Sequence, residues 1–254
     1  MNGLIQNAVN ERSIALVQPA NTQTVDFRLC TEDGTGEKLA RYYAELGRED
    51  DEVPVYKATV GLGGSTYFEV HTGIEELDTT TDRIYGIIIY AHDLNVCFEK
   101  DSTGEPPVCV SMDGVTGHDR LTGETCDCED CPRNCANKGE RKECRNKKRL
   151  YILTEGTPVP LVIDLPPTSL KAWKTYTKSL NHLGFLRPHE VLTEFTLESA
   201  VNANKIKYSR VKIKASGRLK PEMAEQIEWI RKLFKPLETV EVAEFEVMEE
   251  DNGD

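Results

Sequence analysis

Apolar and polar positions alternate with period two over much of the chain, which predicts strands. The alternation covers Val53–Val60 and Thr66–His71, joined by a glycine-rich turn at Gly61–Ser65. It returns at Ile84–His92 and Asn95–Phe98, which the sequence divides at Asp93, then at Arg149–Thr154, Pro158–Leu165, His189–Ser199 and Lys205–Gly217. The last of these is the most informative. Val211, Ile213 and Ala215 fall on one side, and Tyr208, Arg210, Lys212, Lys214 and Arg218 on the other.

Two stretches change to helical spacing. Pro166 and Pro167 end a strand, and Thr168 or Ser169 can cap a helix lined by Leu170, Trp173, Tyr176, Leu180 and Leu183. Lys171, Lys174 and Lys178 form a second stripe, and Gly184 ends the helix. Pro221 opens another helix, with Met223, Ile227, Ile230, Leu233 and Phe234 on one face, Trp229 at its margin and Pro236 after it. Residues 1–36 read as an irregular arm with at most one strand, and Lys38–Leu46 as a short helix.

Three strands, a helix and two strands is the order of a five-stranded OB-type barrel. The expected fold is therefore mainly β with a few helices: one OB-like domain over residues 1–236, an insertion at about 105–148, and a flexible tail at 237–254. A β-sandwich is the alternative.

Charge sharpens this picture because it is sorted along the chain. Residues 1–132 carry 9 basic and 25 acidic side chains, residues 133–235 carry 22 and 10, and residues 236–254 carry 8 acidic and no basic ones. A basic middle followed by an acidic end suggests a polyanion-binding surface and a regulatory tail. No apolar run approaches the roughly 18 residues of a membrane span. The first residues have neither a charged start nor a long apolar run, so the expected location is cytoplasmic, with no membrane partner.

The insertion holds six of the eight cysteines: Cys109, Cys126, Cys128, Cys131, Cys135 and Cys144. Cys128 and Cys131 are spaced as two thiolates on one tight turn, the usual half of a tetrahedral zinc site. The segment is poor in large apolar residues and needs a staple to order it. Zinc is the cofactor expected, with Cys109, Cys128, Cys131 and Cys144 as ligands, Cys126 a spectator, and Cys30 and Cys97 small core residues. Disulfides and buried free thiols are the other readings, and His118 is a substitute ligand. Lys147, Lys148, Arg149 and Tyr151 follow at once. With Tyr67, Lys171, Lys174, Tyr208, Arg210, Lys212 and Lys214 they make the expected nucleic-acid surface: cations for phosphates, rings for bases. Solvated lysines, or an edge strand protected by charge, would give the same alternation.

The blocks Cys109-Val-Ser-Met-Asp-Gly, Cys128-Glu-Asp-Cys131-Pro-Arg-Asn, Lys142-Glu-Cys144-Arg-Asn-Lys-Lys-Arg-Leu and Leu165-Pro-Pro-Thr-Ser-Leu-Lys resemble a family of bacteriophage and prophage proteins. The chain is also similar in plan to phage single-stranded DNA-binding proteins. The resemblance implies phage origin, a role in replication and recombination modules, a structural zinc in some members, and an acidic tail that competes with DNA or recruits replication and recombination proteins. Cys126 and Cys135 depart from a four-cysteine pattern.

Two other functions fit the same residues. One is a zinc-stabilised adaptor that binds another protein. The other is a metal-dependent nuclease using Asp164, Glu190 and Lys212 or Lys214. No nucleotide-binding loop is present, since no Lys-Ser/Thr pair follows Gly61–Gly64.

Overall fold

The computed structural model describes residues 24–27, 55–99, 106–135, 142–157, 159–184 and 186–235. The expected helix at 38–46 and the acidic tail lie outside them. The strands in chain order are β1 (Thr24–Val25), β2 (Tyr56–Val60), β3 (Phe68–His71), β4 (Thr79–Thr81), β5 (Arg83–Cys97), β6 (Cys109–Ser111), β7 (Thr116–Asp119), β8 (Thr125–Asp127), β9 (Cys144–Thr154), β10 (Leu161–Leu165), β11 (Val191–Val201) and β12 (Lys207–Leu219). The helices are α1 (Leu170–His182) and α2 (Pro221–Leu233).

The fold is mainly β. One sheet runs β1-β12-β11-β5-β9-β10-β2-β3-β4, with β6, β7 and β8 branching from the end of β5. Most neighbours are antiparallel, while β2 lies parallel to β10 and β1 parallel to β12. The sheet curls until β2 nears β12, where the Ser209 hydroxyl donates to the Gly61 carbonyl at 2.6 Å. Gly64 makes that approach possible: its φ is +81°, and a Cβ there would stand 2.5 Å from Ser199 Oγ.

The concave face is filled by Phe68, Ile84, Ile88, Leu150, Ile152, Ile163, Phe195 and Val211 against Tyr176 and Leu180 of α1. Two polar contacts fix that helix. The Tyr176 and Thr193 hydroxyls are hydrogen-bonded at 2.6 Å, and Ser169 Oγ accepts the Val211 amide at 3.0 Å. Ser169 makes no side-chain bond to the helix's own first turn, because its hydroxyl serves β12 instead. The convex face carries a second core, in which Ile87, Ile89, Tyr90, Tyr151, Leu153 and Val162 pack under Ile227, Ile230 and Phe234. Arg231 pins α2 there: its Nε donates to the Ile89 carbonyl at 2.8 Å and its guanidinium lies over the Tyr90 ring.

Three expectations need correction. The break at Asp93 is absent: β5 is one strand of 15 residues, because Asp93 pairs across the ladder with Lys148 and ion-pairs with its ammonium at 3.0 Å. β9 begins at Cys144, five residues before the expected start, since its polar first half pairs with Leu94–Cys97. Arg218 does not share the face of Lys212 and Lys214. A bulge opposite Leu192 and Thr193 takes up one extra residue of β12, which turns Arg218 to the concave side with Val191 and sends Leu219 into the convex core.

Candidate nucleic-acid face and thiol cluster

The bulge leaves an outward row on β12 of Tyr208, Arg210, Lys212 and Lys214. Its antiparallel partner β11 sets Glu198 opposite Arg210, Thr196 opposite Lys212 and Glu194 opposite Lys214. β5 adds Tyr85 beside Glu194 and Arg83 beside Thr196. Residues directly opposite one another share a face, so all of these lie on one surface three strands wide.

Four cations and two tyrosines there face two carboxylates. Glu198 binds both Arg210 and Lys212, whose hydrogen bonds hold its carboxyl below the ordinary glutamate range. Glu194 binds Arg83 at 3.0 Å and receives the Tyr85 hydroxyl at 3.3 Å. These carboxylates orient the guanidiniums and neutralise half of the cationic charge. Lys212 keeps 60 % of its side chain exposed and Arg83 48 %, so both remain accessible. Arg83 and Tyr85 are the members that sequence reading missed. Their signal was present, since they directly precede and follow the inward-facing Ile84 and so fall on the opposite face of β5.

The other expected residues scatter. Lys171 and Lys174 are exposed on α1, away from this face. Tyr67 is 48 % exposed beside the Gly61–Ser65 turn. Lys148 is largely buried against Asp93, with 16 % of its side chain exposed. Lys147 lies opposite Leu94 on the convex face, half-buried.

Tyr151 and Arg149 are corrections: neither reaches solvent. Tyr151 is fully buried in the convex core, and a buried ring cannot stack on a base. Arg149 is 1 % exposed and grips Asp164 through two bonds, Nε to Oδ1 at 2.7 Å and Nη2 to Oδ2 at 2.8 Å. Burial raises the Asp164 carboxyl, and the guanidinium's charge and hydrogen bonds overcome that, leaving it at about 2. The acid-and-lysine group expected of a nuclease does not assemble. Asp164 serves Arg149, Glu190 accepts the Arg187 amide at 2.5 Å, and Lys212 serves Glu198.

The cysteines lie at the far end of β5. Cys97 stands opposite Cys144 on β9 and opposite Cys109 on β6, so three thiols stand abreast on adjacent strands. Next to them β7 and β8 bring Gly117 opposite Cys126. A Cβ on Gly117 would lie 2.9 Å from Cys126 Sγ, 3.1 Å from Cys109 Sγ and 3.5 Å from Cys128 Sγ. Only glycine leaves room for three sulfurs to converge there. Cys126, expected to stand aside, thus lies among the gathered thiols, within hydrogen-bonding reach of Cys109 and Cys131. Cys97, expected as plain core, is buried but belongs to the row. Cys135 is exposed and donates to the Glu129 carbonyl, outside the cluster. His118 follows Gly117 on its strand and is exposed on the other side.

Among the described residues, no group of three or more His, Cys, Asp or Glu side chains stands in the geometry that holds a metal ion. The sulfurs are gathered without being closed around a centre. Their electrostatics suit a cation. Burial, together with the neighbouring thiols, pushes Cys144 up to about 12 and Cys126 up to about 11. Without an ion they stay protonated at neutral pH; a divalent cation would let them ionise together.

Between this cluster and the first turn of α1 lies a cavity of about 290 Å³, lined by Asp93, Asn95, Asp127, Glu129, Asn134 and Asn146 among others. No described helix is long and apolar enough to cross a membrane. Comparison of the chain with protein-family models, curated proteins and solved structures gave no match in any of the three.

Proposed function

We propose that the protein binds single-stranded DNA with little sequence preference, on the open face of β5, β11 and β12. The observation that carries this reading is the juxtaposition of Tyr85 and Tyr208 with Arg83, Arg210, Lys212 and Lys214 on one exposed surface. Flat rings and cations on a sheet are what a naked strand needs, rings for bases and cations for phosphates.

The pairing order supports it. With β5, β9, β10, β11 and β12 taken as barrel strands one to five, the first pairs with the second and fourth, the second with the third, and the fourth with the fifth. The helix falls between third and fourth, as in an OB barrel, and the cysteine insertion is then the connection between strands one and two. The departure is β2, which occupies the seam beside β10. Thiolate-bound zinc, with Cys109, Cys128, Cys131 and Cys144 among the ligands, orders that connection. The acidic residues after 236 compete with DNA for the cations, or recruit replication and recombination proteins.

A second reading, a protein-binding adaptor, is favoured by the apolar group at the hairpin tips, where Leu62, Tyr67, Val201 and Ile206 are exposed. Fluorescence anisotropy with labelled oligo-dT across a salt series separates the two. Binding should weaken with salt at a log–log slope of about −0.7 per phosphate contact. Tyr85→Ala should weaken it about 5- to 150-fold, the loss of one stacked base at 1–3 kcal/mol. Absence of binding at low salt would select the adaptor.

A further inference from the structure

We infer that the thiol cluster is a site for two metal ions, with six cysteines arranged as two tetrahedra that share an edge. One tetrahedron is Cys126, Cys128, Cys109 and Cys131, and the other is Cys97, Cys144, Cys109 and Cys131.

The argument is one of reach. A tetrahedral zinc with Zn–S bonds of about 2.3 Å holds its sulfurs about 3.8 Å apart. Such an ion serves one end of the cluster. At one end, Cys126, Cys109 and Cys128 converge on Gly117, with Cys131 in hydrogen-bonding reach of Cys126. At the other, Cys97 and Cys144 face each other across β5 and β9, in positions whose Cα atoms lie about 4.5–5.5 Å apart. Cys109 and Cys131 are common to both ends. Cys109 is abreast of Cys97 and next to Cys126, and Cys131 is a charge neighbour of Cys97, Cys144, Cys109 and Cys126.

A single ion at the first end would leave Cys97 and Cys144 side by side as buried thiols, and one at the second would strand Cys126. Two ions use every thiol of the group and omit only the exposed Cys135. Cys126 and Cys131 lie half-buried on a short surface segment, so theirs are the side chains with room to turn onto an ion.

The charge balance is defined. Two Zn²⁺ displace the protons of six thiols, forming six Zn-bound thiolates and releasing six protons. The resulting cluster carries a charge of −2, with Cys109 and Cys131 bridging. Arg133 is placed to meet it, interacting electrostatically with Cys97 and Cys109 while bound to Asp119 at 3.2 Å.

The test needs no nucleic acid, so its failure is separate from failure of DNA binding. The full chain, purified without chelator, is analysed for zinc per polypeptide, and the same sample is exchanged with ¹¹³Cd²⁺ for NMR. The expected result is two zinc equivalents and two cadmium resonances coupled through shared sulfur. Cys97→Ser and Cys126→Ser, on opposite tetrahedra, should each fall to about one equivalent, while Cys135→Ser keeps two. One equivalent in the unmodified protein overturns the two-metal site and leaves a single structural zinc, and two uncoupled resonances overturn the shared edge and leave two separate ions. No metal at all overturns both. Should the serine variants fail to fold, the unmodified protein's stoichiometry and coupling decide alone.

Discussion

Arg149 and Asp164 are the most deeply enclosed ion pair among the described residues, at 1 % and 12 % side-chain exposure. Asp164→Asn removes the carboxylate's charge and leaves the guanidinium in the sheet without its counter-ion. The Asp164 carboxyl at about 2 lies about two pH units below an unfolded aspartate, worth roughly 2.5 kcal/mol of stability at neutral pH. The stranded arginine adds to this, and breaking a buried pair costs about 3–5 kcal/mol in all. Arg149→Met should cost a similar amount, whereas the double variant Arg149→Met/Asp164→Leu should lie close to the parent, since a packed apolar pair replaces both charges.

The pH dependence has a definite sign. A depressed carboxyl stabilises above the unfolded value, and that stability disappears as pH falls through the folded one. The gap between parent and Asp164→Asn should therefore be full above about pH 5 and shrink by roughly 2–3 kcal/mol as pH approaches 2. Urea unfolding followed by the fluorescence of Trp173 and Trp229 measures it at each pH. A cost below about 1 kcal/mol for Asp164→Asn, or a gap that ignores pH, would refute the reasoning.

Two further outcomes follow from contacts of single atoms. Gly117→Ala should lower zinc content and loosen the insertion, because its methyl would enter the space of three sulfurs; zinc per chain and protease resistance read both, and unchanged zinc binding would refute it. Tyr151 Oη is buried beside the Arg149 guanidinium without closing a well-formed hydrogen bond, while Tyr176 Oη is bonded to Thr193 at 2.6 Å. Tyr151→Phe should thus be neutral or mildly stabilising and leave oligo-dT affinity unchanged, whereas Tyr176→Phe should lose about 1 kcal/mol; equal effects on urea midpoints would contradict the assignment.

Periodicity carried much of the β architecture. Alternation located parts of β2, β3, β5, β9, β10, β11 and β12, and helical spacing located α1 and α2, because each buries one face against the sheet. What escaped depends on partners distant in sequence. Asp93 looks like a turn residue until Lys148 lies opposite, and the β12 bulge has no signature around Ser216. The basic run 147–149 reads as an open surface, yet the cations diverge on folding. Lys148 points to Asp93 and Arg149 to Asp164, on opposite faces of one strand. Burial of Tyr151 depends on α2, which follows some seventy residues later. Cysteine spacing marked the insertion but not its membership. Cys97 joins by strand register alone, twelve residues before Cys109.

β12 meets β11 along one side, whereas on the other β1 covers only Arg218 and Leu219. Along Lys207–Gly217 no strand pairs with that second side among the described residues, although Ser209 reaches the Gly61 carbonyl beyond β2 and Ser169 caps the Val211 amide. A margin left without a paired strand invites another polypeptide to continue the sheet, and lysines beside it discourage that. The cations proposed to hold phosphates therefore also keep copies of the protein apart. Replacing them with apolar residues would invite self-association that mimics loss of binding, so charge reversal such as Lys212→Glu is the cleaner probe of DNA contact.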